Sequence, residues 1–237
     1  MGFENAVVTS DDLKAFCAAF GSTASAPMFH MVGHTPEAPD LVTALGGVDA
    51  TVVDRVVLDR TDAESAWGYL NDDVVAGDDN SIQLVAIGNP HLSLTECRDL
   101  AELCVDSHVA DGVKIIVTMG REVYAQAERE GYVDRLRQFG MTFINDTCWC
   151  MLTEPIIPTD GTTLVTNSAK YAHYAPGLVN KKVRFHGLAG CVEAAKTGYS
   201  PKPPRWMLRW FVSESPGTEQ VASVAEKGRS PRNGGSV

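Results

Sequence analysis

Two cysteines on either side of a tryptophan, Cys148 and Cys150 in the stretch NDTCWCMLTEP, form the most conspicuous reactive pattern in the sequence. A thiolate can bind a soft metal ion or act as a nucleophile. The Cys-x-Cys spacing is tighter than that of structural zinc sites, and no second Cys or His pair with zinc spacing accompanies it. A nucleophilic Cys148, assisted by His91 or His173 from a neighbouring loop, is an alternative that the residue types leave open.

The other cysteines stand in different surroundings. Cys17, Cys97 and Cys104 lie on predicted helices, where a cysteine usually packs as a small apolar side chain. Cys191 follows a glycine at the start of the last predicted helix. Because a helix N-terminus favours negative charge, this position favours a thiolate, and a packed cysteine is the alternative.

The stretch TNSAKYAHYAPG, residues 166–177, combines polar, basic and aromatic side chains at the start of a predicted helix. Ser168 and the backbone N–H groups after it could bind an anion, with Asn167 beside them and Lys170 adding positive charge. The alternative is an ordinary capped surface helix. His91, in GNPH, is a candidate general acid or base, or simply a loop histidine.

Five apolar stretches after residue 81 have the length of β-strands and alternate with helical patterns. They are IQLVAIG, VKIIVTMG, MTFIND, TTLVTNS and KVRFHG. Strands that are apolar throughout and alternate with helices indicate a parallel sheet covered on both faces. Ligands of such sheets bind at the carboxyl ends of the strands. The sequence therefore predicts that the loops 88–93, 119–122, 145–150 and 166–173 form one site.

The helices that connect these strands have recognisable boundaries. Ser93 and Glu96 have capping-box spacing, Gly131 is a weak point in the next helix, and Gly140 ends it. Before residue 81, Ser10 or Asp11 is expected to cap a first helix. The stretch SAPMFHMVG is predicted to be a strand, and ATVVDRVVLD an edge strand.

The composition excludes several classes of protein. The 237 residues carry a formal net charge of −10, and no basic run precedes the C-terminal tail, which argues against nucleic acid or an anionic membrane surface as partner. No apolar run reaches the roughly 18 residues of a membrane span. Six cysteines in a chain of this length do not suggest a disulfide framework, so a reducing, cytoplasmic compartment is expected. Residues 1–212 are predicted to form the folded domain and 213–237 a disordered tail.

Six motifs taken together resemble the aconitase X family, a branch of the aconitase superfamily of hydro-lyases. They follow one another between Ala26 and Gly198 in the family's order and spacing. They read FHMVGHTPEAP, VAIGNPHLSLTECRDLAEL, VTMGREVYAQAEREGYVDRLRQFG, INDTCWCMLTEP, TNSAKYAHYAPGL and VRFHGLAGCVEAAKTG.

The resemblance implies an aconitase-like α/β fold with three α/β/α layers and a mostly parallel sheet, incomplete relative to the family. It implies an iron–sulfur hydro-lyase, a dehydratase of cis-3-hydroxy-L-proline or a similar small hydroxy acid, with mevalonate 5-phosphate as the alternative substrate. The family holds its cluster, 2Fe-2S or 4Fe-4S, with three cysteines, and Cys148 and Cys191 match two of them.

The family's third cysteine comes from an N-terminal half that has no counterpart here, and its small swivel domain also has none. A complementary N-terminal half and a small swivel subunit are therefore expected partners. His91, His173 and Ser168 are the candidate catalytic residues, and Asn167, Ser168 and Lys170 the candidate substrate-binding residues. The alternative is a non-catalytic α/β remnant or docking subunit, which would expose an apolar face where the missing part packs.

Overall fold

Among the residues described before the sheet, three α-helices are present. The computed structural model describes residues 7–24, 26, 28–49, 51, 53–54, 56–71, 80–159, 161 and 163–202. The three helices are α1 (Ser10–Thr23), α2 (Leu41–Ala44) and α3 (Arg60–Tyr69). Helix α1 is capped by Thr9 and not by Ser10 or Asp11. The Thr9 hydroxyl accepts a hydrogen bond from the Asp12 N–H, and the Asp12 carboxylate accepts one from the Thr9 N–H.

Five parallel strands follow, in the spatial order β3-β2-β1-β4-β5. Their bounds are β1 (Leu84–Leu92), β2 (Lys114–Met119), β3 (Met141–Asn145), β4 (Thr163–Thr166) and β5 (Lys182–Phe185). The chain builds the sheet outwards from β1 in one direction, then returns to the other side of β1 with β4. Such a reversal creates a crevice at the carboxyl ends of the two strands on either side of it, here β1 and β4.

Helices cover both faces of the sheet. The remaining ones are α4 (Leu94–Leu103), α5 (Arg121–Arg129), α6 (Tyr132–Phe139), α7 (Ala169–Val179) and α8 (Leu188–Thr197), with a short 3-10 helix at Trp149–Met151. Alternate residues of β1 point to opposite faces. Val85 and Ile87 join the apolar cluster beneath α4, α5, α6 and α8, whereas Leu84 and Ala86 join the one beneath α7 and Trp149. The predicted three-layer α/β/α fold with a parallel sheet is confirmed.

The helix boundaries follow the sequence signals. Ser93 caps α4 in a capping box with Glu96. Gly131 separates α5 from α6, and Gly140 adopts a left-handed conformation where α6 ends. These positions agree with the predicted interruption of the helix at Gly131 and its predicted end at Gly140.

Two predicted strands are not found. Among the described residues of SAPMFHMVG and ATVVDRVVLD, none lies in a strand. In the first stretch the aromatic side chain is used for packing on a helix. The Phe29 ring lies 4.7 Å from Phe16 and 5.3 Å from Phe20 of α1, measured between centroids. The predicted disordered tail 213–237 and the end of the folded domain at residue 212 lie outside the described residues. Of the helices in the described part of the chain, none has the length and apolarity needed to cross a membrane.

His186, just after β5, is 3% exposed and lies edge-on to the Trp67 ring, with Nε2 3.2 Å from the Ser200 hydroxyl. Burial lowers its pKa from 6.5 to about 4, and the charge of Arg184 adds to this. The unfolded chain therefore takes up this proton near pH 6.5, whereas the folded chain resists it until about pH 4.

Acid should consequently destabilise the fold. We expect the free energy of unfolding to be unaffected by His186 above pH 6.5 and to fall by about 3 kcal/mol between pH 6.5 and 4. Urea unfolding at a series of pH values measures this. His186→Gln should flatten the profile in that window, whereas His108→Gln, at an exposed position, should not. A profile that is the same for His186→Gln and the wild-type chain would contradict the assignment.

Candidate functional site

A turn inside β1, where its pairing with β2 is irregular, requires glycine at position 88. Gly88 has a φ of +98°, and a Cβ atom there would lie 2.1 Å from the carbonyl oxygen of Thr118 in β2. The Thr118 hydroxyl donates a 2.6 Å hydrogen bond to the Gly88 carbonyl. The register between β1 and β2 shifts at this point, between Ile87 and Leu92. Asn89 and His91 follow this turn, in the last part of β1 at the carboxyl end of the sheet.

Asn89 lies at the centre of this region and is 5% exposed. Its Oδ1 accepts a hydrogen bond from the Cys148 thiol at 3.8 Å, and its Nδ2 donates one to the Cys150 sulfur at 3.8 Å. One amide therefore contacts both sulfurs of the Cys-x-Cys stretch, which follows β3. The loops after β1 and β3 meet through this side chain.

The loop after β4 joins the same cluster. The Ser168 hydroxyl donates to the Asn89 carbonyl and accepts a hydrogen bond from the Tyr171 N–H at 2.9 Å, so that it also caps α7. The Asn167 Oδ1 accepts a hydrogen bond from the Gly88 N–H at 3.3 Å. Asn167 and Ser168 therefore lie across the β1–β4 crevice from Asn89, as the sequence predicts for strand-end loops.

Trp149 fixes the conformation of the Cys-x-Cys stretch. Its side chain is 1% exposed, its Nε1 donates a 2.9 Å hydrogen bond to the Ile87 carbonyl, and its ring lies 5.1 Å from that of Tyr171. Cys148 and Cys150, on either side, are only partly buried. A buried anchor between two accessible thiols holds both sulfurs at the surface of the crevice.

Burial is the largest influence on the Cys150 thiol and raises its pKa. The neighbouring Cys148 also raises that pKa, while the Asn89 amide and the Lys170 ammonium act in the opposite direction. The pKa of the Tyr171 hydroxyl is raised as well, chiefly by burial and then by the two cysteines. Lys170 is thus close enough to the Cys150 sulfur to affect its ionisation, although its ammonium is not the dominant charge effect.

Helix α1 fixes the loop that carries His91. Lys14 Nζ donates a 3.1 Å hydrogen bond to the His91 carbonyl and forms ion pairs with Asp11 at 3.1 Å and with Glu96. The His91 ring is oriented by its Nε2, which donates to the Thr147 carbonyl at 2.9 Å. This bond leaves Nδ1 of a neutral His91 as the nitrogen able to accept a proton.

A cavity of about 290 Å³ lies between α1 and the strand ends. Asn89, Asn167 and Ser168 supply polar groups to its wall, and Glu96 is its one charged lining residue among those described. Its remaining lining residues are apolar: Ala15, Phe16, Ala19, Pro90, Ala169 and Phe185. The cavity can hold a small molecule with one polar end and an apolar ring or chain.

Two predicted site residues lie elsewhere. Cys191 is fully buried in the apolar cluster beneath α8, and its thiol donates to the His186 carbonyl at 3.7 Å. Burial raises the pKa of this thiol, and this outweighs the expected influence of the helix N-terminus. His173 lies on α7, with Nδ1 3.2 Å from the Tyr69 hydroxyl of α3. Within the described part of the chain, no three His, Cys, Asp or Glu side chains are grouped so as to hold a metal ion.

The sequence did not single out Asn89 or Glu96. Asn89 lies two residues before the predicted residue His91, in a Gly-Asn-Pro turn where asparagine is common for conformational reasons alone. Glu96 has the spacing of a capping box, which already accounts for a carboxylate at that position. One feature of the sequence points to Asn89 as a site residue: it directly follows Gly88, in the predicted site loop 88–93.

Two family models match the chain. One describes the aconitase X third domain and matches residues 82–197, which contain the whole sheet. The other describes the aconitase X second domain and matches residues 2–68, which contain α1 and α2 and most of α3. The cavity therefore lies between residues of the two matched regions.

Curated proteins with similar sequences are dehydratases. A cis-3-hydroxy-L-proline dehydratase of Pseudomonas aeruginosa is 50% identical over 198 residues, which are 83% of this chain and 33% of that protein. One from Hypocrea jecorina is 48% identical over 80% of this chain and 31% of its own length. The phosphomevalonate dehydratase large subunit of Aeropyrum pernix is 30% identical over 68% of this chain and 36% of its own. The chain thus spans about a third of the length of these relatives.

A solved structure shares the fold. The crystal structure of Thermococcus kodakaraensis aconitase X in its holo-form superimposes with a TM-score of 0.63 and 25% sequence identity. The alignment covers 79% of this chain and 44% of that one.

Proposed function

Because the chain belongs to the aconitase X family, we propose that it forms part of a dehydratase that removes water from a small hydroxylated acid. The substrate class we propose is cis-3-hydroxy-L-proline or a similar cyclic hydroxy acid. The chain would contribute one wall of the active site and some of its reactive groups.

The observation that carries this proposal is the polar cluster around Asn89, beside the 290 Å³ cavity. It lies at the carboxyl ends of β1 and β4, where the sheet changes direction. It unites Cys148 with Asn167 and Ser168, which are predicted from two separate motifs. The high identity to two cis-3-hydroxy-L-proline dehydratases extends over the same elements.

Dehydration of a hydroxy acid needs three kinds of group. One holds the carboxylate, one takes a proton from carbon, and one gives a proton to the departing hydroxide. We propose that Asn167 and the first N–H groups of α7 hold the carboxylate, with Lys170 nearby and Ser168 positioning them. His91 is the proposed acid or base, acting through Nδ1, since its Nε2 is bound to Thr147. In this arrangement the Ser168 proton points to the Asn89 carbonyl, which favours a positioning role for Ser168.

The cavity's charge favours an imino acid over a phosphorylated one. Its only charged lining residue in the described part of the chain is Glu96, an acid, and no Lys or Arg lines it there. A phosphate is usually bound by cationic side chains. Glu96 is itself paired with Lys14 of α1, so the described residues of this wall offer a phosphate no free positive charge. The alternative substrate, mevalonate 5-phosphate, has support only from relatives with about 30% identity or less.

The residues present fit part of an iron–sulfur site. Thiolates are the ligands such clusters use, and Cys148 and Cys150 present two sulfurs at the crevice. Cys191 is covered by the core and bonded to a backbone carbonyl, so it would have to be exposed in order to bind. We keep Cys148 and Cys191 as the proposed ligands, with the third thiolate coming from outside this chain. When bound, a cluster would supply a Lewis acid for the leaving hydroxyl.

We propose two partners because the matched stretch is only part of the relatives' length. The relatives are about three times as long as the matched stretch, and some of them are large subunits by name. A complementary N-terminal portion and a small swivel subunit would complete the site.

Replacing Cys148 with serine tests the ligand assignment. After anaerobic treatment with ferrous iron, sulfide and a small thiol that stands in for the missing ligand, the wild-type chain should absorb broadly in the visible range and retain iron after desalting. Cys148→Ser should lose most of both signals, since serine is a poor ligand for soft iron–sulfur centres. Cys17→Ser, at an exposed position on α1, is the matched control and should retain them.

Two outcomes would contradict the assignment. An unchanged spectrum in Cys148→Ser would show that Cys148 is not a ligand. Stoichiometric alkylation of Cys148 that abolishes turnover in iron-free protein would favour a thiol nucleophile instead.

A further inference from the structure

The segment from Leu41 to Leu58, here called the 41–58 segment, has almost no apolar core of its own. Of the described residues between Pro39 and Leu70, none is buried. Helix α2 also has no buried residue. Seven large apolar side chains of the segment are exposed, with exposed fractions between 37% and 82%: Leu41, Val42, Val48, Val53, Val56, Val57 and Leu58.

The region around the sheet is different. Among the described residues of 82–197, only six large apolar side chains are exposed, although that region is more than six times as long as the 41–58 segment. A concentration of exposed apolar side chains on a folded segment marks a surface that is covered in the working protein. The exposed apolar side chains are therefore concentrated in the region that matches the second-domain model, and they are sparse in the sheet region.

We propose that the 41–58 segment is the docking surface for the part of an aconitase X protein that lies outside this chain. The family model that contains the segment is that of the second domain, and the relatives extend over about three times the matched length. Interfaces of standard size use about 20 to 30 residues on each side. The segment and its flanks, residues 39–69, have that length.

The charge of the segment and its flanks indicates which kind of partner surface is complementary to it. Residues 39–69 carry six acidic and two basic side chains. Asp40 and Asp59 are fully exposed, and hydrogen bonds to local N–H and hydroxyl groups lower the pKa of each, so both stay ionised. The complementary surface is therefore apolar at its centre with Lys and Arg at its rim.

Co-expression tests this proposal. The full chain would be co-expressed with the portion of the Pseudomonas aeruginosa cis-3-hydroxy-L-proline dehydratase outside the matched stretch, and the complex isolated through a tag on that portion. The wild-type chain should co-purify in a one-to-one complex. Val57→Asp, at a side chain 75% exposed, should weaken binding at least tenfold and leave the melting temperature of the isolated chain unchanged.

Val105→Asp, at a side chain 51% exposed in the sheet region, is the matched control and should bind like the wild type. The docking proposal rests on the proposed membership of a dehydratase. Because the experiment measures binding and not turnover, a complex that forms but is inactive would count against the proposed reaction only. Absence of a complex, or equal binding by Val57→Asp, would overturn the docking surface. Protection of the Val53, Val56 and Val57 amides from hydrogen exchange in the isolated chain would also overturn it. In a monomer such protection would mean that the chain's own tail covers the segment, and in a dimer that a second copy does.

Discussion

Replacing Trp149 with alanine is expected to lower the free energy of unfolding by about 3 to 5 kcal/mol. The indole is fully enclosed in the apolar cluster between the sheet and α7 and packs against Tyr171. Its removal leaves a cavity that the surrounding strands and helix cannot close. It also removes the only side-chain donor that the described residues give to the Ile87 carbonyl. Chemical denaturation of both proteins measures the difference.

The same substitution should change the chemistry of the crevice. Because Trp149 holds Cys148 and Cys150 in place, we expect both thiols to react several-fold faster with a disulfide reagent in Trp149→Ala. Met151→Ala is a matched control in the same 3-10 helix, at a side chain 76% exposed, and should change stability by less than about 0.5 kcal/mol. The free energy of unfolding of Trp149→Phe should lie between those of Trp149→Ala and Met151→Ala. Equal stability of Trp149→Ala and Met151→Ala would contradict the anchoring role.

Gly88→Ala should be almost as damaging, with a loss of roughly 4 kcal/mol. The left-handed backbone conformation costs a residue with a Cβ atom about 1 to 3 kcal/mol. The clash with the Thr118 carbonyl adds a similar amount, since rigid β2 backbone must move to relieve it. Thermal unfolding measures the loss, and the altered turn should also displace Asn89 from the two sulfurs.

Gly120→Ala is the natural control for this prediction. Gly120 directly follows β2, but its φ is −71° and a Cβ atom would meet open space. We expect it to change stability by no more than about 1 kcal/mol. If Gly88→Ala and Gly120→Ala melted at the same temperature, the close approach of the β1 turn to β2 would not exist in solution.

The sheet could be predicted from the sequence because local pattern and burial agree there. Each of the five strands is a short apolar run bounded by helix signals, and parallel strands covered on both faces have no polar side to confuse the pattern. The failure at SAPMFHMVG has the opposite cause. Its apolar residues serve different purposes, since Phe29 packs on α1 while Met28 is 69% exposed. A run of apolar residues alone does not distinguish these uses from a strand.

The site could be predicted only in outline. Strand-end position placed Cys148, Asn167 and Ser168 in one region, because the carboxyl ends of parallel strands meet at one edge. The role of Asn89 was not predictable, since it depends on two sulfurs brought to it by a loop some sixty residues away. The position of Cys191 in the core was likewise hidden, because residues that start a helix can face the core or the solvent.

The central place of β1 also has a consequence for how the chain folds. The strand pairs with β2 on one side, thirty residues later, but its other neighbour, β4, is eighty residues away, as in the pair Leu84 and Leu164. During synthesis, the edge of β1 that will receive β4 stays open until Leu164–Thr166 has been made. An open, apolar strand edge invites pairing with other chains. Slow or interrupted translation between β3 and β4 should therefore increase aggregation, and a chaperone that shields β1 should counteract it.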